Sequence, residues 1–250
     1  MATTTPALTS ATAAAGPIPP TASPLEKEEQ PQKPIRIMKK ALSSKVVHIQ
    51  VGEDVQDFGV HKDLICHYAP YFKAAFNSGF EESNTGILKL PETKVEVFEL
   101  FNTWLYTQSL WNGEDDEESW PSFEHLIELY VFADMARVPQ LMNYVIDTLV
   151  AISDLSECLP DDDVLSFGWE KTPESSPLRR LIVDWIMFET NADFFEGQIE
   201  NLPMECLLGC IRAMQPIVCE FRDTKKGMKS HPGIRASNYH VANETQKSSS

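Results

Sequence analysis

F-G-V-H-K-D-L-I-C-H-Y-A-P-Y-F-K-A-A-F, from Phe58 to Phe76, leads into a Gly-bounded strand and then a helical pattern ending Trp104-Leu105-Tyr106. Its reading decides the fold. Val60 closes a short run after the turn-like Glu53-Asp54, and His61 and Lys62 open a helical pattern. Leu64, Ile65 and Tyr68 fall at i, i+1 and i+4, a narrow apolar stripe. Pro70 stands where a second helix starts, its φ already helical and its missing N–H among the donors a helix leaves unused. Phe72, Ala75 and Phe76 give that helix a face to bury. The spacing predicts two short helices meeting at a corner around Ala69-Pro70.

Outward from this corner, Val46 to Val51 alternates, with Val47, Ile49 and Val51 on one side and Gly52 at the end. Asp57 to Val60 can return as its hairpin partner. Gly79 is placed to cap the second helix. Gly86 to Leu90 reads as a third strand stopped by Pro91. Lys94 to Tyr106 reads as a helix through Val95, Phe98, Phe101 and Leu105.

The order of these pieces resembles the BTB/POZ domain in the short form common in fungal proteins. They are an apolar strand, F-x-V-H-K, Y-x-P-Y-F-x-x-x-F, F-E-E, L-x-L-P and F-x-x-F-x-x-W-L-Y. The match extends from about Lys45 to Ile152, and no single element would carry it alone. The resemblance implies an α+β fold, a small sheet with a cluster of short helices, followed by a helical C-terminal extension. It implies a protein-interaction domain, often homodimeric, with no catalysis and no cofactor of its own. Phe58, His61, Lys62, Tyr71, Phe72, Phe76, Leu105 and Tyr106 are the residues that match the family motif, and they are expected to be structural.

Composition bounds the function separately. The chain has 250 residues, an apolar content of 42% and a formal net charge of −16. Such acidity argues against a nucleic-acid surface, which needs clustered Lys and Arg. Cys66, Cys158, Cys206, Cys210 and Cys219 are scattered and suggest a reducing compartment rather than a disulfide framework. No run of 18 apolar residues occurs, so no membrane helix is expected. Arg36 is the first arginine, so no Arg-rich transit peptide is expected either. The expected location is cytoplasmic and/or nuclear.

Residues 1–34 are rich in Ala, Thr and Pro, including Pro6, Pro17, Pro19, Pro20, Pro24, Pro31 and Pro34. They bury too little apolar surface to offset ordering entropy and are expected to be a tail. Residues 35–152 are expected to be the interaction domain and the minimal folded unit. Ile37, Met38 and Leu42 form a short apolar side there and are candidates for a dimer contact. Ser109 to Trp120 reads as a loop carrying Glu114-Asp115-Asp116-Glu117-Glu118. It lacks the alternation of an EF-hand loop and reads as a solvated acidic segment rather than a calcium site.

Phe123 to Met135, capped by Ser122, and a helix beginning at Pro139 close the domain. Residues 153–221 are expected to be a helical extension. Within it, Ser156 to Pro177 reads as a loop. Leu178, Leu181, Ile182, Trp185 and Ile186 form one helical stripe, and Leu207, Ile211 and Met214 the buried face of a last helix. Residues 222–250 read as a polar tail.

Three groupings of residues bear on possible chemistry. His61, Cys66 and His67 do not share a helical face, at about 100° per residue. Cys206 and Cys210 do, but two thiols alone do not hold zinc. No nucleophile elbow, zinc-protease, P-loop or dinucleotide-binding pattern is present. Many BTB transcription factors carry an Asp in the first strand that lines a co-repressor pocket with the basic residue after the helix-start His. Val46 stands at that Asp position, while Lys62 remains.

Family members that bind a cullin present an apolar-x-Glu triplet, expected here in the loop after Tyr106. That makes Leu110, Trp111 and Glu114 candidate contacts, but neither pairing has the required spacing. The expected role is therefore a self-associating or partner-binding module. Cullin-RING adaptor is the alternative.

Overall fold

The computed structural model describes residues 42, 45–110, 120–190, 197, 199–224 and 235–241. The chain divides into Met1–Ile35, outside the described residues, and Arg36–Ser250, which holds every element below. Strand β1 (Val46–Val51) turns at Gly52 into β2 (Gln56–His61). Helices α1 (Lys62–Tyr68), α2 (Pro70–Asn77) and α3 (Glu81–Thr85) lead to β3 (Ile87–Leu90). Helices α4 (Val95–Thr107), α5 (Phe123–Ala136) and α6 (Pro139–Ser156) follow, then α7 (Asp162–Glu170), α8 (Pro177–Phe188) and α9 (Met204–Thr224).

The sheet is three-stranded with β1 in the centre. β1 and β2 form an antiparallel hairpin in which Val47 faces Val60 and Ile49 faces Phe58. β3 pairs in parallel with β1, setting Ile49 beside Leu88 and Val51 beside Leu90. A parallel neighbour cannot be reached by a tight turn, and α1 to α3 supply the crossover. The alternation read from Val47, Ile49 and Val51 holds, and all three are buried.

The helical corner at Ala69-Pro70 forms as its spacing requires. Ala69 is extended (φ −118°, ψ 100°), as a residue before proline prefers, and Pro70 opens α2. Gly79 (φ +83°) follows the end of α2 in the left-handed region. Phe72 and Phe76 point inward beside Leu64 and Ile65. Phe72 stacks on Phe101 of α4 at 5.8 Å, and Phe101 lies 5.1 Å from Phe132 of α5. Phe58 reaches the same cluster from β2, 4.8 Å from Phe98. These rings join sheet, corner and α5 into one apolar centre. At the edge of that centre, Lys94 bridges Glu124 and Glu128 at 2.7 Å each, tying the start of α4 to α5.

The structure differs from expectation in the C-terminal half. Residues 162–170, expected within a loop, form α7. Asp162 and Asp163 occupy its first turn, where carboxylates suit the helix N-terminus, and Leu165 and Trp169 are buried one turn apart. Gly168 lets α7 approach α5 closely: a Cβ there would sit 3.0 Å from Ile127 Cγ2.

The expected domain boundary at Ile152 falls inside α6, which runs to Ser156. The buried core is continuous from Val47 through Trp185 to Tyr239. In α8, Leu178, Leu181, Ile182, Trp185 and Ile186 are all buried as the stripe predicts. In α9 the expected face is inverted. Cys206 and Cys210 are buried, whereas Ile211 and Met214 are exposed and Leu207 is half-buried. The expected polar tail begins inside α9, and residues 235–241 within it are packed on the protein.

Two substitutions probe this fold. Phe72→Ala removes a fully buried ring from the centre of the cluster and should cost about 3–5 kcal/mol in chemical denaturation. Val55, exposed in the β1–β2 turn, has φ +57°, a region β-branched residues avoid. Val55→Gly should raise stability by about 0.5–1 kcal/mol, and a measured loss would show that the turn is unstrained.

Candidate interaction surfaces

The motif residues are used for construction. His61 ends β2 and caps α1 with extended backbone. Its backbone N–H donates to the Tyr106 hydroxyl at 3.2 Å, and its Nδ1 lies 2.8 Å from the same oxygen. Lys62 sends its ammonium to the Phe76 carbonyl at 2.9 Å, satisfying an acceptor in the last turn of α2. Tyr71 is half-buried edge-on against Phe72, and Leu105 is fully inside. Phe58, His61, Lys62, Tyr71, Phe72, Phe76, Leu105 and Tyr106 thus converge on one region, and none of these projects as an open contact.

Val46 is an exposed β1 residue directly opposite His61 in the hairpin. Beside it Lys62 is engaged with α2, so the two residues do not make a charged pocket.

The expected contact residues scatter. Leu110 is only 7% exposed and belongs to the core. An anchor for a partner cannot already be consumed by the fold. Leu42 is exposed. Ile37, Met38, Trp111, Glu114 and the acidic run 114–118 lie outside the described residues.

Two exposed apolar features were missed. Phe80, between α2 and α3, is 72% exposed, which is unusual for a ring of this size. It forms the N-cap of α3, with Glu81 and Glu82 in the first turn. Phe80-x-Glu82 therefore has the apolar-x-Glu spacing sought after Tyr106. In the sequence F-E-E reads only as a family landmark, and burial is what distinguishes Phe80 from Leu110. The second feature is α9, where Met204, Leu208, Ile211, Met214 and Val218 are all exposed.

Between α7, α8 and α9 lies a groove of about 620 Å³ lined by Trp169, Arg179, Arg180, Asp184, Glu205 and Arg212 among others. The Arg179 guanidinium lies 4.7 Å over the Trp169 ring. Both charge signs alternate along the walls, so the groove selects no one ligand charge.

On the inner side of α9, the Cys206 thiol is pushed up by its hydrogen bond with Cys210 and by burial, and stays protonated. Among the described residues no group of three or more His, Cys, Asp or Glu could hold a metal ion. No helix among them is long and apolar enough to cross a membrane.

The packed segment 235–241 is held by paired polar contacts. Asn143 of α6 donates from Nδ2 to the Val241 carbonyl at 3.1 Å and accepts from the Val241 N–H at 2.6 Å. Tyr239 is buried and donates to Asp184 of α8 at 2.6 Å. Burial, together with that carboxylate, raises the Tyr239 phenol well above its ordinary value. His240 meets Asp147 at 2.8 Å.

Residues 43–149 match the model of the BTB/POZ domain, and this stretch is a BTB/POZ domain. The chain is also similar to Kelch-like ECH-associated protein 1A of Danio rerio, 32% identical over 69 residues. That alignment covers 28% of this chain and 12% of the relative.

Asn143→Ala removes both hydrogen bonds to Val241 and should release segment 235–241. The expected result is faster amide exchange and proteolysis there, with the α5 amides unchanged.

Proposed function

We propose that the BTB/POZ domain at residues 43–149 makes this protein a non-enzymatic scaffold, acting by self-association or by binding a protein partner. BTB/POZ domains are protein-interaction modules. The observation that carries the reading is the allocation of the motif residues. His61, Lys62, Phe72 and Tyr106 are spent on internal hydrogen bonds and packing, leaving surface side chains to do the recognition. We assign the domain to the short form common in fungal proteins, on its motif order. The scattered cysteines favour a reducing location, cytoplasmic and/or nuclear.

Affinity capture of the full chain from its native cell, with mass spectrometry and light scattering, tests the role. Recovery of defined protein partners or of self-association is expected. A folded chain that stays monomeric and captures nothing would reject it.

A second reading, substrate adaptor of a cullin-RING ubiquitin ligase, is favoured by Phe80-x-Glu82. A large exposed apolar side chain followed at the right spacing by a carboxylate can fill a partner's pocket and pair at its rim. The sequence expectation against direct cullin binding rested on the loop after Tyr106. Phe80 offers the anchor that loop lacks. Isothermal titration with a purified cullin N-terminal domain decides it. If the reading holds, Phe80→Ala should weaken binding by about 30-fold or more, roughly 2 kcal/mol. Absence of binding by the unaltered chain leaves the scaffold role alone.

A further inference from the structure

Helix α9 presents apolar side chains on two opposite sides. One side, with Cys206 and Cys210, is buried against the protein. On the other, Met204 is 65% exposed, Ile211 61% and Val218 56%, with Leu208 between them. These positions, with Gln215, are separated alternately by four and three residues, the spacing of a helix-on-helix seam. Contiguous apolar surface of this kind marks an interaction site more often than scattered single exposures do.

We propose that α9 is a self-association surface, packing antiparallel on α9 of a second copy about a two-fold axis near Gly209-Cys210. The flanking residues select this arrangement. With the axis there, Leu208 of one copy meets Ile211 of the other, and Met204 meets Gln215. Along one edge Glu205 comes opposite Arg212 of the second copy, and the two-fold repeats the same pair. Along the other edge half-buried Leu207 meets exposed Met214.

A parallel pairing would instead set Arg212 against Leu207, matching a charge with an apolar side chain. The antiparallel register satisfies the central Leu208–Ile211 contacts and both edges together, and leaves Val218 outside the overlap. Pro216, inside the helix, lies beyond the central contacts, so the bend it favours does not interrupt them.

The formal net charge of −16 opposes bringing two copies together. Attraction therefore has to come from apolar burial and from the locally matched Glu205–Arg212 pairs. The overlap is about two heptads, which is short, and the association should be weak, with Kd of roughly 10 µM. This surface is separate from the BTB/POZ domain, which ends before α7.

Sedimentation velocity of the full chain from about 1 to about 100 µM tests the proposal. A concentration-dependent dimer is expected, abolished by Leu208→Asp with Ile211→Asp. Circular dichroism, and thermal melting at about 1 µM where the chain is monomeric, should be unchanged, because both side chains are exposed in the single chain. Glu205→Arg alone should weaken the dimer about ten-fold, and Glu205→Arg with Arg212→Glu should restore it. A monomer at the highest concentration overturns the proposal. So does a dimer that survives the two aspartates, which would place self-association on the BTB/POZ domain. Failure of the charge reversal to restore association overturns the antiparallel register. A monomer from which the two aspartates remove a captured protein would give the face to a different partner, and self-association would fall.

Discussion

Two adjacent residues at the end of β2 set the geometry on which the remainder depends. His61 engages Tyr106 through both its backbone N–H and its ring, and so fixes the distance from the sheet to α4. Lys62 reaches the last turn of α2 and fixes the crossover that delivers β3 to β1. Each neutral hydrogen bond contributes only about 1 kcal/mol net, and a charged donor somewhat more. Their importance is directional. Apolar burial supplies most of the driving force but has no preferred angle, and these contacts choose one packing of the phenylalanine cluster among several of similar area.

The cluster explains why the buried core does not end where the family pattern ends. Phe72, Phe98, Phe101 and Phe132 seal one side of α5. The other side carries Ile127, onto which Gly168 of α7 closes, and Tyr130, whose hydroxyl lies 3.3 Å from Ser176 at the start of α8. A helix buried on both sides needs both neighbours. The extension is therefore the second half of the same core, and a boundary drawn at Ile152 cuts through α6 as well as through this packing.

What the sequence made legible follows from this division. The sheet, the Ala69-Pro70 corner and α8 could be read because each has one apolar face and an unmistakable boundary, such as Gly52 at the end of β1 or Pro70 and Pro177 at helix starts. Helix α7 could not. Its carboxylates at 161–163 resemble a solvated loop until Leu165 and Trp169 are given a partner, and that partner is remote in sequence. For α9 the pattern offered two faces, and hydropathy favoured Leu207, Ile211 and Met214. Packing chose the smaller side chains, because Cys206, Gly209 and Cys210 allow α9 to approach α8 and Trp169 closely. A Cβ on Gly209 would lie 3.1 Å from the Trp169 ring. Size, rather than apolarity, decided the buried side. Leu110 and Phe80 were misjudged for a related reason: spacing alone says nothing about which apolar residue the core has already taken.

This choice has a consequence for how the two halves can act. An amphipathic helix usually loses its place when its single apolar face is uncovered, since packing on that face supplies most of its stability. Helix α9 keeps its place through the small buried residues, while its larger apolar residues remain outward. Burying those outward residues adds stability without rearranging the core, and uncovering them costs no fold. The BTB/POZ half is built differently, with Phe72 and Phe76 buried, Phe58, Tyr71 and Tyr106 half-buried, and Phe80 its most exposed large apolar side chain among the described residues. A contact at Phe80 depends on one anchor and a shaped pocket. A contact along α9 depends on summed area and register, and can be weakened gradually by single substitutions. The two surfaces therefore differ in kind as well as position, and occupation of one need not disturb the packing that presents the other.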